Sequence, residues 1–333
     1  MKIQGKKIFL TGGAGFIGSH LARKFVNLGA EVVVYDNLST GVKEYLKDLP
    51  NISFIKGDIL DTKLLESSMK GCEIVSHHAA ELEVFTGIGN TIHEMRVNIE
   101  GTLNVLNAAI KNDIQKVVYA SSGGVYGQAE YTPEKETHPL MPQWPYGVAK
   151  LAGEKYCQQY TQLYGLPTVS FRYGIVYGPH EWYGRVLTMF IKRVFSGKAP
   201  VIFGDGSQRR DFVYVSDVVD ANILGIENDS VSGMRFNIGG IAHVNVVDIA
   251  NMVTKLIDPS LKPIFDDPKP GEASKHQPER KRLPAELKDF ILDISLAREK
   301  LGYDPKISFE EGVTKEIKWY KSDPSIWDYD PRV

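Results

Sequence analysis

Thr11-Gly12-Gly13-Ala14-Gly15-Phe16-Ile17-Gly18-Ser19-His20-Leu21 is the stretch whose reading decides the fold. It follows a short apolar strand, Lys7 to Leu10. It opens a segment with Ile17, Leu21, Phe25 and Leu28 on one helical face, closed by Gly29 as a left-handed cap. Strand, glycine turn, helix: this order sets backbone amides at a helix N-terminus, where the absence of Cβ atoms lets a pyrophosphate come close. The glycines read as GxGxxG from Gly13 and as GxxGxxG from Gly12. Gly12, Gly15, Phe16, Ile17 and Gly18 are therefore the cofactor-facing residues of the turn. Such a turn can also serve only to pack a helix on a strand. Here, however, a second strand, Glu31 to Tyr35, runs into Asp36, 18 residues past Gly18. A carboxylate at that place accepts hydrogen bonds from the adenosine ribose.

The bulk properties narrow the class. A chain of 333 residues holds a large core and two lobes, and 43% hydrophobic with 24% charged residues is ordinary globular composition. The formal net charge of −2 offers no basic excess, which argues against nucleic acid or an anionic membrane as partner. Cys72 and Cys157 lack CxxC or metal spacing and fit a reducing compartment. Glycines 12, 13 and 15 interrupt the only apolar segment near the start, so no signal peptide is expected, and no apolar run reaches spanning length. A cytoplasmic location is the expectation.

In chain order, Asn37, Ser39, Thr40 and Gly41 form a polar turn beside the predicted ribose site, and a third strand, Ile52 to Lys56, leads into Asp58 and Ile59, where an adenine would lie. Asp58 reads equally as a helix N-cap. A fourth strand, Glu73 to Ser76, ends in His77-His78-Ala79-Ala80. The small Ala79 and Ala80 admit a ligand. The paired histidines point to opposite faces of a strand and have no third ligand at suitable spacing, so no metal is expected. Thr91 to Asn112 carries Ile92, Met95, Ile99, Leu103, Leu106 and Ile110 at a helical period, predicting one long crossover helix with Asn98 in its middle. A fifth strand, Lys116 to Ala120, delivers Ser121 and Ser122 to the crevice. A helix from Pro145 to Gly165 and a sixth strand, Thr168 to Arg172, complete an α/β fold with a doubly wound parallel sheet of Rossmann type.

The chemistry gathers at Ser122, Tyr146 and Lys150. Tyr146 and Lys150 lie four apart on one helix face. A free tyrosine titrates near 10, and a lysine ammonium beside it, with a positive nicotinamide ring, favours the phenolate; a shift of about three units needs roughly 4 kcal/mol. Ser122 would hold the substrate oxygen for proton transfer. A tyrosine and lysine four apart also occur as a plain surface pair; behind a complete dinucleotide fingerprint they read as catalytic.

At this point the chain resembles the extended short-chain dehydrogenase/reductase family, in its NAD-dependent nucleotide-sugar epimerase/dehydratase branch. Six stretches carry the resemblance: Thr11 to Gly18, Asp36 to Gly41, Gly57 to Ile59, Tyr146 to Lys150, Arg172 to Pro179 and Gly204 to Phe212. It implies bound NAD, a catalytic set of Ser122, Tyr146 and Lys150, Tyr173 near the nicotinamide, and Arg210 at the substrate diphosphate. It also implies a nucleotide sugar held between the sheet and a smaller C-terminal lobe, and a homodimer formed through Thr91 to Asn112 and Pro145 to Tyr164. Gly123, Arg185 and Phe203 are expected at the sugar nucleotide. A UDP-sugar is the first expectation, with the base and sugar left open.

The departures bear on the reaction. Where the family's 4,6-dehydratases resemble one another in an Asp-Glu pair after the catalytic hydroxyl, this chain has Gly123 and Gly124, and related decarboxylases keep a glutamate at the second place. Neither glycine can move a proton, and their missing side chains leave room for a sugar to turn over, which points to a 4-epimerase. A dehydratase or net oxidoreductase on the same scaffold is the alternative, and a non-catalytic NAD-sensing protein a remote one. Ile175 stands where many epimerases have asparagine, a loss that Arg209 could offset; the twenty residues after Glu272, with Lys275, Arg280, Lys281 and Arg282, resemble an insertion and read as a solvated loop. The lobes interleave. Residues 1–174 with about 211–254 form the NAD-binding part, to which Phe212 to Val215 and Arg235 to Gly240 return as added strands; 175–210 with about 255–333 form the substrate lobe.

Overall fold

The computed structural model describes residues 1–82, 90–182, 185–241, 243–282 and 286–322. The stretches expected to shape the sugar pocket are Val84 to Thr91 and His180 to Arg185; of these, Val84 to Gly89, Tyr183 and Gly184 lie outside the described residues.

Seven parallel strands form the main sheet in the order β10-β6-β5-β4-β1-β2-β3. They are β1 (Lys7–Thr11), β2 (Glu31–Asp36), β3 (Ile52–Lys56), β4 (Ile74–His77), β5 (Lys116–Ser122), β6 (Thr168–Tyr173) and β10 (Met234–Ile238). The central strands are buried along their length because helices cover both faces, and this is why they read as near-continuous apolar runs. Alternation sorts their side chains. Ile8, Leu10, Val32 and Val34 join one core with Leu21 and Phe25 of α1 (Phe16–Asn27) and Val218 of α7 (Val215–Glu227). Phe9, Val33 and Tyr35 join the other, with Leu65 of α2 (Thr62–Ser68), Val105 and Leu106 of α4 (Gly101–Lys111), and Cys157 and Tyr160 of α5 (Pro145–Tyr164). Fully burying each such side chain is worth about 1.5–3 kcal/mol. The order reverses between β1 and β4, which opens a crevice at their carboxyl ends.

Two expectations change. The helix foreseen over Thr91 to Asn112 is α3 (Thr91–Met95) and α4 separated by a π-helical turn, Arg96–Glu100. The wider turn breaks the phase of the apolar stripe: Leu106 is buried, whereas Ile92 is 66% exposed and Met95 is exposed. Asn98 is buried within this turn, and π turns are frequent at functional sites.

Phe212 to Val215 does not return to the main sheet. The chain bends at Gly174, whose amide donates to Ile238 O at 2.9 Å. Beyond the bend, β7 (Ile175–Tyr177) pairs with β9 (Arg209–Tyr214), which also binds β11 (His243–Asn245) and β13 (Asp289–Phe290). The edge beside β6 is taken by β10 alone. A further pair joins β8 (Val201–Phe203) to β12 (Ile264–Asp266). Helices α6 (Val186–Phe195), α8 (Val246–Ile257), α9 (Ser295–Leu301) and α10 (Phe309–Ser322) complete the described chain. No described helix is long and apolar enough to cross a membrane. Both cysteines are buried and free.

Candidate active site

The glycine turn sits at the reversal of strand order. Gly12 has φ +68°, and a Cβ there would fall 2.7 Å from Ala79 N at the end of β4; one on Gly18 would fall 2.0 Å from Gly12 O. Neither neighbour can move, since both are backbone. Gly15 caps α1 without a side-chain acceptor, leaving the first-turn amides of Phe16, Ile17 and Gly18 as orphan donors for an anion. At the end of β2 the buried Asp36 accepts from Ala14 N (3.0 Å) and Leu38 N (2.8 Å). Burial raises its pKa and the two amides oppose that. A carboxylate has lone pairs to spare for a ribose. Gly41 closes on it, its added Cβ falling 2.7 Å from Asp36 Oδ1.

The turn beyond is pinned locally. Asn37 Oδ1 accepts from Ser39 N at 2.9 Å, and Asn37 Nδ2 donates to Asp58 Oδ2 at 3.0 Å, while Asp58 Oδ1 accepts from Leu60 N at 2.9 Å. The helix cap of α2 is Asp61, not Asp58. Ile59 is buried against Gly101 and serves the core; Thr40 is half-buried at the rim.

Ser122 ends β5, and Tyr146 and Lys150 lie on the first turns of α5. Lys150 Nζ donates to Ala120 O at 2.8 Å and lies 5.7 Å from the Tyr146 ring centre. The expected lowering of Tyr146 by its lysine does not occur in this state. Burial pushes Tyr146 up to about 12, while Arg185 and the Ser122 hydroxyl pull it down and Glu94 pushes it up. Burial likewise brings Lys150 down to about 8, with Glu94 opposing. For both groups desolvation outweighs the opposing attractions.

Glu94 was not foreseen. It is 2% exposed, and its Oε1 accepts from Asn98 Nδ2 at 2.6 Å. Its signal was a carboxylate one turn before Asn98 on a helix read only for apolar residues. Asn98 in turn clamps the backbone of Glu81, donating to its carbonyl (2.8 Å) and accepting from its amide (2.9 Å). It thereby holds the segment just after Ala79 and Ala80.

The two histidines behave as strand neighbours. His77 contacts the Thr11 and Thr102 hydroxyls at 2.7 and 3.0 Å, and His78 the Ser76 and Tyr173 hydroxyls at 3.2 and 3.1 Å. Tyr173, paired in register with Ser122, also meets Asn222 Nδ2 at 2.9 Å. Ser121, expected at the cofactor, points its hydroxyl the other way, donating to Glu154 Oε2 at 3.1 Å, because alternation along β5 separates it from Ser122. Glu154 is bidentate to the buried Arg172, at 2.9 and 2.6 Å, and this ion pair locks α5 to β6.

Arg185, expected at the sugar nucleotide, stands just before α6, near enough to act on Tyr146. The space foreseen at Gly123 is filled: a Cβ there would fall 2.4 Å from Phe290 Cζ. Gly124 is the open one, its added Cβ meeting only Ser122 Oγ at 3.3 Å. Arg209 is taken by Asp289, at 2.9 and 3.1 Å, since alternation turns it away from Arg210. Arg210 lines a cavity of about 100 Å³ with Phe203, Gln208, Val246 and Arg280. Arg280 belongs to the supposed solvated insertion, yet its guanidinium stacks 4.3 Å over the Phe203 ring. The segment is held down because Ser274 Oγ donates to Asp266 Oδ2 at 2.6 Å.

An open helix N-terminus, a buried carboxylate at the end of the second strand and a Ser-Tyr-Lys set at one crevice are what a short-chain dehydrogenase/reductase enzyme that uses a nicotinamide dinucleotide needs. Residues 8–239 match the family model described as the NAD dependent epimerase/dehydratase family. UDP-glucose 4-epimerase of Mycolicibacterium smegmatis is 33% identical over 325 residues, covering 95% of this chain and 99% of that protein. The crystal structure of Thermotoga maritima UDP-glucose 4-epimerase with UDP-glucose superposes with a TM-score of 0.85 at 35% identity, covering 95% of this chain and 99% of that one. A dTDP-glucose 4,6-dehydratase from Streptomyces venezuelae, solved with NAD bound, gives a TM-score of 0.86 at 26% identity over 97% and 99% of the two chains. The chain belongs to the NAD-dependent epimerase/dehydratase family. Its cofactor is NAD, which the glycine cradle, the first-turn amides and Asp36 suit.

Proposed function

We propose that the protein is a nucleotide-sugar 4-epimerase acting on a UDP-sugar as a homodimer, with Ser122, Tyr146 and Lys150 as its catalytic set. The observation that carries this reading is at positions 123 and 124, two glycines after Ser122, where the Phe290 ring occupies the side-chain space of the first. No group there can protonate or deprotonate C5 or C6 of a sugar, which a dehydratase needs. The 4-epimerase relatives support the same choice.

NAD supplies the hydride acceptor and the positive ring. Tyr146, as phenolate, takes the proton of the sugar's 4-hydroxyl while Ser122 holds that oxygen, and the C4 hydrogen leaves as hydride. The 4-keto sugar turns over, the hydride returns to the opposite face, and Tyr146 gives the proton back. Lys150 keeps positive charge beneath the phenolate, and Arg185 adds charge from the substrate side. Arg210, Phe203 and Arg280 line the place proposed for the nucleotide. Exposed Ile92, Met95, Val148 and Leu163 on α3 and α5 are the faces proposed for dimerisation.

The test is incubation with UDP-, GDP-, CDP- and dTDP-sugars without added cofactor, with products resolved by NMR. A C4 epimer at equilibrium and no accumulating keto sugar is expected, and Tyr146→Phe should cost at least about 100-fold in kcat. Stable 4-keto product, or full turnover by Tyr146→Phe, would overturn the assignment.

A further inference from the structure

His180 opens a stretch expected to shape the sugar pocket, yet its ring is seated against the cofactor side of the molecule. It follows β7 through Gly178 and Pro179 and holds φ +76°. Glycine suits that conformation best, and another residue kept there is held by its surroundings. The hold comes from three sides. The ring stacks on Tyr45, of the 3₁₀ turn Lys43–Leu46, with centres 3.7 Å apart and planes 6° from parallel. Trp319 of α10 meets it edge-on at 5.8 Å. Its Nδ1 lies 2.9 Å from the hydroxyl of Ser19, which is 1% exposed at the start of α1.

The partners fix the direction of these hydrogen bonds. Ser19 Oγ donates to Phe16 O at 2.9 Å, so it accepts from His180, whose proton therefore sits on Nδ1. Burial keeps the ring neutral, pulling it down to about 3, with His20 and Arg23 adding to that. Beside it His20 Nε2 donates to Pro179 O at 2.9 Å, a second bond from α1 to the same loop. Phe16 opens α1, and its amide is one of the orphan donors offered to an anion. The 3₁₀ turn that carries Tyr45 is also tied to the glycine turn, because Val42 N just before it donates to Ala14 O at 2.9 Å. One imidazole from outside the nucleotide-binding strands thus touches both segments that flank the cofactor cradle.

We propose that His180 is a positioning residue for NAD: through Ser19 it fixes the first turn of α1 with its amides aimed at the pyrophosphate, so that cofactor affinity depends on a side chain from the loop after β7. A loose first turn has to be ordered when the cofactor binds, and a turn already held does not add that cost. The link is reciprocal: whatever His180 adds to NAD affinity, NAD adds to the seating of the loop. The bond at stake joins two neutral groups, and losing such a bond changes an equilibrium by about two- to tenfold.

The experiment uses the full chain stripped of NAD, as wild type and as His180→Ala, His180→Asn, Ser19→Ala and the double variant His180→Ala/Ser19→Ala. NAD affinity is read by calorimetric titration, and urea unfolding is followed with and without NAD. His180→Ala should weaken NAD binding by about five- to tenfold and shrink the NAD-dependent gain in the unfolding constant by the same factor. Ser19→Ala removes the acceptor and should weaken binding to a similar degree, and the double variant should be no weaker than the weaker single, since both lose the same bond. His180→Asn keeps a donor near the place of Nδ1 and a residue that tolerates positive φ, so it should bind NAD within about twofold of wild type. Amide exchange over residues 178–182 should slow when NAD is added to wild type but not when it is added to His180→Ala. Wild-type NAD affinity in His180→Ala, with stability lost equally with and without NAD, would show a packing role only and overturns the proposal. Additive effects in the double variant, His180→Asn as weak as His180→Ala, or equal slowing of exchange in the two proteins overturns it as well. If His180→Ala fails to fold, Ser19→Ala against His180→Asn reads the same bond. None of these readings needs turnover, so their failure is distinct from failure of the proposed reaction.

Discussion

Adding one methyl group at residue 123 tests the packing that sets this site apart. In Gly123→Ala the new Cβ would lie 2.4 Å from Phe290 Cζ, 2.6 Å from Cε2 and 3.3 Å from Tyr173 O. Carbon atoms rest about 3.5–4.0 Å apart, so the ring must retreat by about 1 Å or more. It has little room, because Phe290 is buried with Val125, Tyr126 and Leu292 and its strand is fixed to β9. Overpacking of this kind costs about 1–3 kcal/mol, and the upper half is expected here. Phe290→Ala alone should cost about 3 kcal/mol through lost burial and the cavity left behind. In the double variant the methyl enters that cavity, so the two costs fall short of their sum by about 1–2 kcal/mol. Urea unfolding of the four proteins at saturating NAD measures the cycle. Additivity within about 0.5 kcal/mol, or a Gly123→Ala protein as stable as wild type, would refute the claim that Phe290 fills this space.

Three further outcomes follow from the same geometry. Glu94→Gln removes a carboxylate that pushes both Tyr146 and Lys150 up, so the acid limb of the kcat profile should move to lower pH by about one unit; an unmoved limb would show that Glu94 is silent. Gly18→Ala forces a Cβ to 2.0 Å from Gly12 O, so the purified protein should lose its NAD and about 1–3 kcal/mol of stability, measured by cofactor extraction and unfolding. Burial pushes Glu134 up to about 7, so its contribution is present below 4.5 and is lost as pH rises through 7. Glu134→Gln should therefore become more stable relative to wild type between pH 5 and 8, by about 3 kcal/mol at most, as read from urea midpoints at each pH.

The parts of the molecule legible from sequence are those where a local rule has no competitor. Only glycine tolerates backbone oxygen 2.0 Å from where a Cβ would stand, and only alternation of strand and helix buries both faces of a parallel sheet, so the cradle at Gly12 to Gly18 and the sheet itself could be read directly. What escaped was decided by partners distant in the chain. Phe290 reaches Gly123 across 167 positions through the pairing of β13 with β9, and no local pattern announces that pairing. The charge run near Arg280 looked like solvated loop because a guanidinium on an aromatic ring and one on the surface have the same sequence signature. Tyr146 shows the same limit in its energetics: its spacing from Lys150 was plain, but the depth of burial that pushes it up to about 12 belongs to the assembled site. Electrostatics at this centre is thus a property of the closed crevice. The carboxylate of Glu94 and the guanidinium of Arg185 pull Tyr146 in opposite directions from two different elements, so the proposed base can be retuned from either one without touching the proposed catalytic set.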